Sequence, residues 1–169
     1  CLAQSPHPDL AAICSVLNDN YEVDFAFAKD GVPDFGSYDL LVLHQMPSAP
    51  ADFEPVKKQL EQNAKLPVLF VVGQTTDLEL LDKLQDAYGI RNGATNTVLD
   101  VKTHLNTSFS TFTIDSKCGE MLANYPPLAM PHVELSPSKS HDDLLLQDVL
   151  GVKSGLPLLS FVRGDRKMA

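Results

Sequence analysis

At 169 residues the chain can hold one domain with a full core, or two small ones. Apolar residues make up 44% and charged residues 21%, and no apolar run approaches the ~20 residues that span a bilayer. A net charge of −9 and a pI near 4.8 exclude nucleic acid and an anionic membrane surface as partners, because both demand clustered Lys and Arg. Cys1, Cys14 and Cys118 are odd in number and lack C-x-x-C spacing, which argues against a disulfide framework or a zinc knuckle.

In chain order, residues 1–4 read as a strand. Pro8 and Asp9 then open a helix predicted to run to about Asn18, with Leu10, Ile13, Cys14 and Leu17 at helical spacing. "YEVDFAFA" (21–28) alternates as a half-buried strand does. "DLLVLHQ" (39–45) and "PVLFVVG" (67–73) are continuous apolar runs, the mark of strands covered on both faces. Between them, residues 50–64 form a polar-faced helix. A third helix is predicted over 75–89, with Thr76 or Asp77 as N-cap and Gly89 as C-cap.

The second half changes character. Residues 95–106 and 109–115 are β-like, 116–127 offer one short helix, and 128–136, 142–152 and 156–164 read as strands between Ser, Pro and Gly turns. The whole predicts an α/β fold: a flavodoxin-like three-layer sandwich with a mainly parallel sheet and a β-rich C-terminal extension. Strand one should lie between 21–28 and 40–45. The expected organisation is one domain over 1–169, with 1–90 as the parallel half and 91–169 as the β-rich half. "CLAQ" and "LPLLSFVRGDRKMA" read as cut strands, so the segment is expected to belong to a longer chain.

In such sheets ligands bind outside the carboxyl ends of the strands. Ser5, His7 and Asp9 follow strand one, His44 and Gln45 follow "LLVL", and Gln74, Thr75 and Thr76 follow "LFVVG". The candidate ligand cleft is therefore His7, Asp9, His44, Gln45, Gln74 and Thr75. Each also has a structural explanation. Pro8 is preorganised for a first helical turn, Asp9 complements the helix macrodipole, and His44 could donate to a backbone carbonyl.

"HPDL" resembles, over four residues, the "HPDD" of zinc-dependent N-acetylglucosaminyl deacetylases. Leu10 replaces the second aspartate and no later H-x-x-H follows, so that ligand set is not completed. No G-x-G-x-x-G, Walker loop or G-x-S-x-G elbow occurs. Arg163-Gly164-Asp165 reads as a hairpin turn, and His104, His132 and His141 are scattered without metal-like spacing. No catalytic residue, metal or cofactor is assigned.

"YDLLVLHQMPS" resembles the "YDGLVLPGGPG" strand and loop of class I glutamine amidotransferase-like domains, a flavodoxin-like superfamily. "LPVLFVVGQTT" resembles their "PILGICLGHQ" strand and nucleophile elbow. The resemblance places Val72 where the cysteine nucleophile belongs, with Gly73 next, and replaces the oxyanion-loop glycines by His44, Gln45 and Met46. Valine supplies no thiolate, so the resemblance implies the fold and a silent site. With "SPHPDLAAI", the same stretches resemble an amidotransferase-like domain of large bacterial membrane proteins. Those proteins also carry an N-terminal membrane segment and a von Willebrand factor A-like region. The resemblance implies a non-catalytic ligand- or protein-binding module, extracytoplasmic, whose partners include other domains of the same membrane protein. The alternative is a hydrolase using His7, Asp9 and His44. Flavin binding fits worst, because no Ser/Thr/Gly phosphate loop follows strand one.

Overall fold

In the computed structural model, which describes every residue except 18, 93–97 and 132, the continuous apolar runs become the centre of a parallel sheet. β1 (Leu2–Ala3) is followed by α1 (Pro8–Leu17), β2 (Ala26–Phe27), β3 (Leu41–His44), α2 (Pro50–Gln62), β4 (Val68–Val71) and α3 (Leu78–Leu84). The sheet order is β2-β1-β3-β4, every pair parallel, with His44 in register with Ala3 on one side and Val71 on the other. Strand one thus lies between its two predicted neighbours. All four residues of β3 are buried.

Alternation along β3 sends Leu41 and Leu43 into a cluster with Leu2, Met46, Val56 and Val68. Val56 and Leu60, four residues apart on α2, supply the helical side of that cluster. Val42 and His44 take the opposite face. Pro50 starts α2 without a capping side chain, at the position where a missing N–H costs nothing. The sheet is shorter than the sequence pattern suggests: only Ala26–Phe27 of 21–28 is strand, because residues 21, 22, 24 and 25 are exposed and bury no face. α1 is described to Leu17; its predicted end at Asn18 lies outside the described residues.

Gln85 stops the helix predicted over 75–89 early. Its side-chain oxygen accepts the N–H groups of Ala87 and Tyr88 (2.8 and 2.9 Å), and its amide donates to the Tyr88 carbonyl at 2.6 Å. Gly89 is therefore no C-cap but part of β5 (Tyr88–Asn92), which pairs antiparallel with β8 (Val133–Pro137). The remaining elements are β6 (Val98–Leu105), α4 (Ser116–Asn124), β7 (Leu128–Pro131), β9 (His141–Val149) and β10 (Val152–Val162). Of the predicted 95–106 strand, residues 95–97 lie outside the described residues, as does His132 of 128–136.

β10-β9-β6-β7 is a second four-stranded sheet, antiparallel throughout. The hairpin between its two longest strands turns at Leu150 (φ 53°) and Gly151 (φ 80°), inside the stretch predicted as one strand. The expected turn at Ser154-Gly155 is instead an irregularity within β10. There Gly155 takes φ 71°, and Gln147 Nε2 donates to the Pro157 carbonyl at 2.8 Å. Residues 109–115 form no strand. Asp142 draws the loop in through the Ser110 N–H (2.9 Å) and the Thr111 hydroxyl (2.7 Å), and these bonds hold its carboxyl below the usual carboxylate range. Tyr88, Ser160 and Asp143 make a hydrogen-bonded chain, and burial pushes the Tyr88 phenol up.

The expectation of a flavodoxin-like three-layer sandwich, mainly parallel, is overturned. The chain divides into two compact units, Cys1–Leu84 and Gln85–Ala169, and the parallel sheet stops at four strands inside the first. The β-rich part is not an extension of that sheet but antiparallel sheets of its own. The physical reason is that after β4 no further doubly covered apolar run occurs. β6 and β9 keep only Val101 and Gln147 buried, as strands with one wetter face do.

Leu43, wholly buried at the centre of the parallel sheet, tests this packing. Leu43→Ala is expected to lower stability to urea by about 2–5 kcal/mol. A loss below about 0.5 kcal/mol, the scale of surface substitutions, would contradict its place in the core.

Candidate functional site

Pro8 occupies the first position of α1, so His7 precedes the helix as its cap. The His7 carbonyl accepts the N–H of Leu10 at 3.1 Å, and its ring Nδ1 accepts the N–H of Asp9 at 3.3 Å. Asp9 lies in the first turn, where free N–H groups and the positive helix end favour a carboxylate by about 0.3–1 kcal/mol.

His44 closes β3 on the face away from α2 and is only 2% exposed. Its Nε2 lies 3.1 Å from Asp9 Oδ2, and His7 Nδ1 lies 3.3 Å from the same oxygen. The two imidazole rings stand 4.9 Å apart at 43°. Leaving a buried imidazole N–H unpaired costs about 1–3 kcal/mol, more than the dipole offers. The carboxylate is therefore positioned chiefly by His44, and the helix start follows it. Asp9 and His7 remain open to water, with side chains 57% and 42% exposed.

The neighbouring strand end builds a second, separate arrangement. Gln45 follows His44 with φ 54°, a left-handed backbone that glycine adopts freely and other residues adopt at a cost. Its N–H continues the sheet to the Val71 carbonyl at 2.8 Å. Its side-chain oxygen accepts from the N–H (3.2 Å) and hydroxyl (2.8 Å) of Thr75. That places the Gln45 side chain directly over Gly73, where an added methyl would meet Gln45 Cγ and Oε1 at 2.7 Å. Gly73 N–H donates to Thr76 Oγ1 at 3.0 Å, and Asp77 caps α3 by accepting from Glu79 and Leu80.

Of the six candidate residues, the structure joins His7, Asp9 and His44 in one cluster and Gln45 with Thr75 in another. Gln74 is exposed in the turn, and no hydrogen bond joins it to the other five among the described residues. Ser5 is exposed as well. Gln4 escaped the sequence reading: its Oε1 is buried without a hydrogen-bond partner, and it directly follows Ala3, the register neighbour of His44. The available signal was positional, a polar residue immediately after the apolar pair of strand one.

A 460 Å³ groove lies elsewhere, lined by Phe35, Tyr38, Gln62 and Lys65 near the amino ends of β3 and β4. The histidine cluster is a surface site, not the floor of that groove. Among the described residues, His7, Asp9 and His44 are the group of His, Cys or acidic side chains whose ligand atoms all lie within 4.8 Å of one another. Comparison with family models, curated proteins and solved structures finds no match. Among the described residues no helix is long and apolar enough to cross a membrane.

Two substitutions separate the roles of Asp9 and His7. Asp9→Ala leaves His44 without its carboxylate and is expected to cost about 1–2 kcal/mol in urea unfolding. His7→Ala removes an exposed ring with one long capping bond and is expected to cost less than about 0.5 kcal/mol. Equal losses would contradict the dominance of the His44–Asp9 bond.

Proposed function

We propose that the unit Cys1–Leu84 is a catalytically silent amidotransferase-like domain that binds a ligand or partner at its strand ends. One observation carries this reading. The space over Gly73 is filled by the Gln45 side chain, pinned by Thr75, next to Val72, which the resemblance aligns with the nucleophile. Without a thiolate at Val72, glutamine has no attacker there. The left-handed backbone of Gln45 supports the resemblance, since it falls in the stretch where amidotransferases carry their oxyanion-loop glycines. The buried, unpartnered Gln4 Oε1 supports binding, because a ligand donor there would relieve an unmet acceptor. On this reading the domain is the extracytoplasmic part of a bacterial membrane-anchored protein, and the other domains of that protein are its partners.

A hydrolase is the second reading, favoured by the convergence of two rings on Asp9. His44 cannot serve it as a general base, because its Nε2 faces Asp9 and the ring is buried. His7 is the ring with access to solvent, and its Nδ1 accepts the Asp9 N–H.

The purified chain incubated with glutamine is expected to release no ammonia above the buffer rate. Release that survives Cys14→Ser and Cys118→Ser would reveal another nucleophile, and release abolished by either change would show that the elbow lies elsewhere. Both results would overturn the silent-domain reading.

A further inference from the structure

We propose that His7, Asp9 and His44 form a binding site for a divalent transition-metal ion, with zinc as the best fit. The proposal deepens the strand-end binding reading and rests on it. The donor atoms are already spaced as ligands. A tetrahedral ion with bonds of 2.0–2.1 Å holds its donors about 3.3 Å apart. Asp9 Oδ2 lies 3.1 Å from His44 Nε2 and 3.3 Å from His7 Nδ1, and all three atoms fall within 4.8 Å of one another. Small side-chain shifts would therefore seat an ion between them.

Hydrogen bonding alone explains the arrangement less completely. One carboxylate oxygen faces two ring nitrogens, while His7 Nδ1 also meets the Asp9 N–H at 3.3 Å, the far end of the useful range. The single lone pair of that nitrogen is thus weakly engaged, with the negatively charged oxygen also 3.3 Å away. A cation between the two resolves the opposition. His44 is anchored by β3, whose register neighbours hold it on both sides, and Pro8 fixes the backbone between His7 and Asp9. Two rigid elements therefore present the three donors. Two imidazoles and one carboxylate suit zinc and its neighbours, whereas calcium and magnesium require oxygen ligands. Asp9 also shields the ion from the positive end of α1.

Three protein ligands leave a coordination position open, and the exposure of His7 and Asp9 turns it to solvent. The ligand class the site would take is a small oxygen donor: water, a carboxylate or a phosphate. No assignment of metal followed from the sequence, because His44 is 35 residues away from Asp9 and shares no motif with it.

Calorimetric titration of the metal-stripped chain with zinc alone is the test. The expected result is one zinc per chain, with affinity at least about tenfold weaker in His7→Ala and in Asp9→Asn, since even outer-sphere partners are worth that much. His7 is exposed, so the fold does not depend on it. His141→Ala should bind as the unchanged chain does. Cobalt in place of zinc should give the absorption of a low-coordinate nitrogen and oxygen site. No binding, binding unaffected by His7→Ala and Asp9→Asn, or a cobalt–thiolate charge-transfer band from Cys1, Cys14 or Cys118 would each overturn the proposal. Ammonia release from glutamine would overturn the silent-domain reading instead, so the two failures are distinguishable.

Discussion

Burial of β3 on both faces is the constraint on which the first unit depends. A strand covered by apolar side chains on each side must be apolar along its length, and Leu41, Val42 and Leu43 are. His44 breaks that rule at the carboxyl end, in a position only 2% exposed. Burying a polar group without a partner costs more than most surface contacts return. The chain meets the cost by bringing the first turn of α1 to the end of β3, so that Asp9 faces the imidazole. The position of α1 and the existence of the cluster then have one cause.

The second unit is built on a different rule. Its antiparallel strands keep one wetter face, and polar side chains settle what the apolar pattern leaves open. Gln85 ends a helix and starts a strand, Asp142 folds a loop back, and Asn106 closes β6 through the Asp143 and Leu144 carbonyls. None of these side chains has a periodicity. Their effect comes from partners distant in sequence or from a local turn competing with a helix.

That contrast explains what could be read in advance. Doubly covered runs announce themselves, so β3, β4 and the strand order around β1 were legible. The short β1 and β2 were legible as elements but not in length, because two or three ladder bonds do not need a long pattern. The hairpin turn was misplaced by a few residues: Leu150 accepts a left-handed backbone that Gly155 advertised more openly, and Gly155 serves an irregularity within β10. The single sandwich was inferred from the first half and carried into residues that have no helical crossovers. At the site, the rule that polar residues gather at strand ends identified His7, Asp9 and His44. It could not show that Gln45 would cover Gly73, since that contact depends on a left-handed residue with no glycine to mark it.

The central claim is that the buried His44 holds Asp9, and through it the start of α1. A double-mutant cycle between Asp9→Ala and His44→Leu, read by urea unfolding, tests it most directly. The account predicts a coupling of about 1 kcal/mol, with the double variant much less damaged than the sum of the singles, because leucine removes the need for a partner. Additive losses, within about 0.3 kcal/mol, would show that the two side chains are merely neighbours and that another contact positions the helix.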